Sequence, residues 1–152
     1  MSEPIWKIDT HHHFFPPYFL EKLNALGIKE EAGTPIPEWS PEISLGVMDA
    51  NFIKRAILSV SAPGVYFPGQ TINQTTRLAR ECNEYGAKLK QKYRERFGFF
   101  AVLPMPFTAQ SCQESIYALE VLDADGIVLL GCTDGYFLGD PVFEELMIQV
   151  KV

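Results

Sequence analysis

Arg55–Gly64 reads RAILSVSAPG. Ala56 to Val60 are nearly all apolar, and Pro63-Gly64 close the run. A strand without alternation between polar and apolar residues is buried on both faces, as in a parallel sheet covered by helices. Upstream, SPEISLGVMDAN (40–51) offers Ser40 as a helix cap and Pro41 at the first helical position, turning Ile43, Val47 and Met48 inward. Downstream, residues 71–97 carry Leu78, Cys82, Tyr85, Leu89 and Tyr93 at steps of three and four, with charges between them, which predicts an amphipathic helix.

The same rhythm continues outward. GFFAVLP (98–104) is another buried strand, TAQSCQESIYALEVL (108–122) a helix capped by Thr108, GIVLLG (126–131) a strand, and DPVFEEL (140–146) a helix capped by Asp140. Toward the amino end, Ile5–His11 reads as a short strand stopped by Pro16-Pro17. A helix runs from Pro17 to Leu26 and ends at Gly27, and residues 28–40 form a loop. The order βα, repeated about four times, predicts an α/β fold with a parallel sheet and right-handed crossovers. Four units make either a small open sheet or half of a closed barrel, which needs eight. Composition does not choose between them.

Composition narrows the function classes. The 152 residues carry a formal net charge of -6, against nucleic acid as the main partner. Between Arg77 and Arg96 seven Lys/Arg face Glu81, Glu84 and Glu95, a pattern read as a solvated helix face. Cys82, Cys112 and Cys132 are widely spaced without C-x-x-C, so neither a disulfide framework nor a zinc cluster is expected, and Cys82 on the apolar stripe is a structural thiol. No signal-peptide pattern opens the chain and no apolar run nears the ~18 residues of a membrane span. The expectation is a reduced, cytoplasmic protein with no membrane partner.

IDTHHHFFPP (8–17) holds all three histidines of the chain. Side chains two apart share one face of a strand, so His11 and His13 project together, with Asp9 on their side and His12 on the other. Two imidazoles so spaced, at the carboxyl end of a buried strand, can each give one nitrogen to the same divalent ion. An isolated H-x-H is more often a pair of surface residues. Here the apolar lead-in, the acidic residue two before and the Pro-rich exit favour the metal, leaving His12 to pack or hydrogen-bond.

This strand resembles the D-x-H-x-H opening of the amidohydrolase-related superfamily, within it the decarboxylase group that contains aminocarboxymuconate-semialdehyde decarboxylase and the fungal 6-methylsalicylate decarboxylases. The likeness continues in order through PEWSPEISLGVMDAN, AILSVSAPG, CNEYGAKLKQKYRERFGFFAVLP, DADGIVLL and YFLGDPVFEEL, from about residue 5 to residue 146. It implies a (β/α)8 barrel with one divalent metal, zinc ahead of manganese, held in part by His11 and His13. The family's other ligands, two later histidines and a late aspartate, have no counterpart, since no histidine follows His13. Residues 1–152 then read as one truncated domain, the amino-terminal half of the barrel, with about four βα units. A truncated gene model is favoured over a deliberate short form.

The resemblance implies a metal-dependent decarboxylase of an aromatic or unsaturated carboxylic acid, 6-methylsalicylate-like and expected to be inactive as this half alone. Its acid or base residue lies outside the chain, so no catalytic residue is assigned. The alternatives are a metal-dependent hydrolase of an ester, lactone or amide, and a non-catalytic fragment. The expected partner is a small carboxylic acid, and a homo-oligomer is compatible with the sequence. Residues at strand ends could line its pocket: Phe14, Ser61 and Pro63 first, with Phe15, Pro104 and Met105. Thr133-Asp134-Gly135 reads as turn chemistry. Cys132 has no histidine base nearby, and neither G-x-S-x-G nor a glycine-rich phosphate loop is present.

Overall fold

The computed structural model describes residues 5–31 and 33–150. Strand β1 (Lys7–Phe14) leads through Pro16-Pro17 into helix α1 (Pro17–Ala25). Proline suits the first helical turn because its missing N–H would have no partner there. Gly27, at φ 70°, takes the left-handed conformation that ends this helix without steric cost. Two-residue strands β2 (Glu30–Glu31) and β3 (Thr34–Pro35) pair within the expected loop.

Helix α2 (Pro41–Ala50) starts as the sequence predicts, with Ser40 Oγ accepting the Ile43 N–H at 3.2 Å. Its buried face differs from expectation. Ile43 and Val47 are 44% and 49% exposed, whereas Ser44 and Met48 are buried. The helix turns this way because the Ser44 hydroxyl has two inward partners, the Trp39 indole N–H and the His12 ring, each at 2.9 Å.

Strand β4 (Ile53–Val60), helix α3 (Ile72–Lys92) and strand β5 (Phe97–Val102) follow. Thr71 and Gln74 form a reciprocal capping box at the start of α3. Helix α4 (Thr108–Ile116) runs into one π-helical turn, Tyr117–Val121, and then strand β6 (Gly126–Val128). Strands β7 (Cys132–Thr133) and β8 (Tyr136–Phe137) make a small hairpin. A 3-10 turn, Pro141–Phe143, leads into α5 (Glu144–Gln149). Two expected caps are absent: Thr108 donates to the Val142 carbonyl at 2.7 Å, and Asp140 accepts the Phe137 N–H at 3.2 Å, each used to tie neighbouring loops.

The sheet is parallel in the order β1-β4-β5-β6. Its helix-facing side holds Phe14, Phe19, Met48, Leu58, Cys82, Phe97 and Phe99 in one core. A smaller core under α5 joins Leu103, Met105, Phe143 and Leu146. Gly98 permits a close approach, since a Cβ there would stand 2.6 Å from Asp125 Oδ2 and 2.7 Å from Ile57 Cδ1. Burial of each large apolar side chain stabilises by about 1.5–3 kcal/mol.

One polar network crosses this core. Asn83 donates to the Val102 carbonyl at 2.9 Å and to Glu114 at 2.8 Å, and accepts the Val102 N–H at 2.9 Å. Glu114, 1% exposed, is paired at 2.8 Å with Arg80, whose guanidinium lies 3.6 Å from the centre of the Tyr117 ring. The network pins the carboxyl end of β5 to α3 and α4. Replacing Asn83 by alanine leaves two backbone groups and a carboxylate short of partners at roughly 1–3 kcal/mol each. Denaturant unfolding of Asn83→Ala is expected to show a loss of at least about 3 kcal/mol, and an unchanged midpoint would refute the assignment.

Candidate metal centre

The site begins with a pairing irregularity. Along β1, Asp9 lies opposite Ala56 and His12 opposite Leu58, so three residues of β1 span two of β4. One additional residue reverses the side-chain phase of the strand. Asp9 is therefore on the same side as His12 and away from the His11 ring, a correction to the simple alternation read from the sequence. Beyond the bulge the alternation resumes. His11 and His13 face one way, while His12 and Phe14 face the helices.

His11 and His13 meet. Their Nε2 atoms are 3.1 Å apart and their ring centroids 4.7 Å apart, edge to face. The His13 Nδ1 lies 3.2 Å from the Ser59 carbonyl oxygen and 3.3 Å from the Ser59 hydroxyl; bonded to the carbonyl, Nδ1 carries the hydrogen and leaves Nε2 its lone pair. This is the arrangement in which a histidine ligates through one nitrogen while the other is held by backbone. Nitrogens at that separation subtend about 100° at an ion roughly 2.0–2.1 Å from each, between the octahedral and tetrahedral angles. The pair thus fits one divalent cation. Among the described residues no third histidine, cysteine, aspartate or glutamate joins them in a metal-holding cluster.

Behind the pair, Asp9 accepts the His11 backbone N–H at 3.0 Å and meets His12 Nδ1 at 3.0 Å. Burial pushes the Asp9 carboxyl up, but these two hydrogen bonds and the histidine charges outweigh it and hold the group below its ordinary value. A carboxyl depressed in the folded state favours folding above its unfolded pKa. That contribution is lost as pH falls through the folded value.

The histidines open on a cavity of about 460 Å³ at the carboxyl ends of the strands, with Thr10, Glu31, Ser59, Ser61, Phe100 and Ile127–Leu130 among its walls. Ser61, expected from the sequence, lines it and donates its hydroxyl to the Glu31 carboxylate. Glu31 was not legible beforehand, because the β2–β3 hairpin that brings it in has no strong turn signal apart from Gly33. Pro63 lines the adjoining narrow cleft with Tyr66, Leu103 and Met105. Phe14 is elsewhere: 1% exposed, it packs against Trp39 and stacks on Tyr85 at 6.3 Å. Strand alternation that aims His13 at the cavity necessarily sends Phe14 into the core. Phe15 is likewise buried, against Phe19.

The remaining candidates fall away on geometry. Asp134 and Gly135 both have positive φ at the β7–β8 turn. Cys82 is buried, which pushes its thiol far up, and Cys132 is exposed with no base beside it. A larger cavity of about 680 Å³ between α3 and the π-helical turn is walled by solvated side chains such as Lys88, Gln91 and Arg94. Among the described residues no helix is long and apolar enough to cross a membrane.

Known proteins extend these observations. A sequence profile of the amidohydrolase family spans residues 8–146. The chain is 43% identical over 148 residues to decarboxylase yanB of Aspergillus niger, covering 92% of this chain and 40% of that protein. It is 40% identical over 124 residues to 6-methylsalicylic acid decarboxylase acuB of Aspergillus aculeatus, covering 81% and 37%. A crystal structure of an amidohydrolase II superposes with a TM-score of 0.88 at 33% identity, over 94% of this chain and 46% of that one. Dihydroxybenzoic acid decarboxylase from Polaromonas, solved with manganese and 2-nitroresorcinol, shares the fold with a TM-score of 0.77 at 20% identity, over 95% and 46%. The chain spans about two fifths of the length of these curated relatives. The four parallel strands are accordingly part of a (β/α)8 barrel, and the chain belongs to the amidohydrolase family.

Proposed function

We propose that residues 1–152 serve as the amino-terminal half of a metal-dependent barrel that decarboxylates an aromatic or unsaturated carboxylic acid of the 6-methylsalicylate kind. The observation that carries this reading is the convergence of His11 Nε2 and His13 Nε2, 3.1 Å apart, on a largely apolar cavity at the strand ends. Similarity to the fungal decarboxylases supports the reaction class. The ion is zinc or manganese, zinc for its affinity for imidazole and manganese by analogy with the Polaromonas structure. Free thiols at Cys82, Cys112 and Cys132 support a cytoplasmic, reducing setting.

When bound, the cation would offset the charge that a carboxylate and its departing electron pair place on the substrate. The chain's own residues prepare the site. Ser59, through its carbonyl and hydroxyl oxygens, holds the direction of the His13 ring. Val60, Phe100 and Ile127–Leu130 offer a flat apolar wall that suits an aromatic ring and excludes water. Ser61 and Glu31 place a hydroxyl and a carboxylate at the rim, where a polar substituent would be oriented. The proton donor to the ring carbon is not assigned to any residue of this chain.

Two outcomes are expected. Zinc titrated into the chain binds through His11 and His13, and either alanine variant lowers the affinity at least tenfold; binding indifferent to both substitutions would contradict the centre. Residues 1–150 grafted onto the remaining part of the Aspergillus niger relative should release carbon dioxide from 6-methylsalicylate, and His11→Ala should abolish it. Hydrolysis of an ester, lactone or amide without carbon dioxide release would overturn the decarboxylase reading.

A further inference from the structure

We infer that His12 is a positioning residue, which with Asp9, Ser44 and Trp39 forms a hydrogen-bonded chain that holds β1 in the bulged register bringing His11 and His13 together. The inference rests on the metal reading of those two histidines and adds a role for the third, which no ligand set requires.

The direction of each bond follows from what each group can donate. Trp39 Nε1 only donates, so Ser44 Oγ accepts it at 2.9 Å. Ser44 Oγ also meets His12 Nε2, 2.9 Å away, and its O–H can donate there. His12 Nδ1 then carries the hydrogen and donates to Asp9 Oδ2 at 3.0 Å. The other oxygen of Asp9 accepts the His11 N–H at 3.0 Å. Both ring nitrogens of His12 and both carboxylate oxygens of Asp9 thus have a partner within the chain.

Its last bond falls at the vulnerable point. Between the Asp9–Ala56 and His12–Leu58 pairs β1 carries one residue too many, so the ladder to β4 is interrupted there. The backbone N–H of His11 would otherwise stand exposed to a slip of register, and such a slip exchanges the two faces of the strand. Asp9 closes that gap, and His12 fixes Asp9. His12 is in turn anchored on Ser44, a residue of α2 that is 3% exposed. The geometry of the two Nε2 atoms is thus set by a helix on the opposite side of the sheet. This also accounts for the burial of Ser44 in place of Ile43 and Val47.

The test is zinc affinity of the full chain, measured with zinc alone by calorimetry, alongside thermal unfolding and the absorption spectrum of the cobalt-loaded chain. His12→Asn keeps a side-chain N–H near the position of Nδ1 and should retain affinity within a few-fold. His12→Gln fills the space without that donor, and it should lose about tenfold or more, with altered cobalt bands and a similar Tm, the range expected when a ligand's supporting hydrogen bond is removed. Both variants keep a polar amide in place of the ring, so the comparison holds even where His12→Ala fails to fold. Equal zinc affinity in the Asn and Gln variants would overturn the inference while leaving the metal pair intact. Absence of zinc binding that depends on His11 in the wild-type chain would instead overturn the metal centre on which the inference rests.

Discussion

The pairing of β1 with β4 is the constraint from which the site follows. Extended backbone sends successive side chains to opposite faces, and in a strand covered by helices one face belongs to the core. The single additional residue between Asp9 and His12 sets the phase for everything after it. Beyond it His11 and His13 have one direction available and His12 and Phe14 the other. The same parallel pairing puts the Ser59 carbonyl beside His13, so the strand that orders the core also orients a candidate ligand.

Two kinds of polar order support this arrangement, and they differ in energy and purpose. Glu114 and Asn83 lie deep between α3, α4 and β5, where the bonds of Asn83 are buried and the loss of one partner leaves the others buried and unpaired. That network is structural: it closes the carboxyl end of β5 against two helices. The Asp9–His12–Ser44 chain is less buried, weaker, and placed directly behind the candidate ligands. Its value lies in direction more than in stability. A metal site built on a strand needs its imidazoles held to within a fraction of an ångström, and side-chain packing alone does not hold an exposed ring.

How much of this could be read beforehand depended on whether the signal was local. The run Ala56–Val60 announces a strand covered on both faces, and the period of Leu78, Cys82, Leu89 announces α3, because both patterns are completed within one element. Ser40-Pro41 announces its helix for the same reason. The shared face of His11 and His13 follows from spacing of two. What spacing cannot reveal is a property of pairing. The bulge that moves Asp9 exists only against β4, the inward turn of Ser44 depends on Trp39 and His12, and Thr108 spends its hydroxyl on a carbonyl distant in sequence. Phe14 shows the same limit from the other side: next to a ligand in sequence, it belongs to the core. Glu31 enters the cavity through a hairpin of two-residue strands that periodicity does not register.

The account stands on two imidazole nitrogens sharing one ion. Crystals of the chain grown with manganese or zinc and measured across the metal's absorption edge address it most directly. The expected result is one anomalous peak roughly 2.0–2.2 Å from Nε2 of both His11 and His13, with His13 Nδ1 still on the Ser59 carbonyl. A peak at other residues, or rings turned apart around an empty cavity in metal-containing crystals, would contradict the central claim.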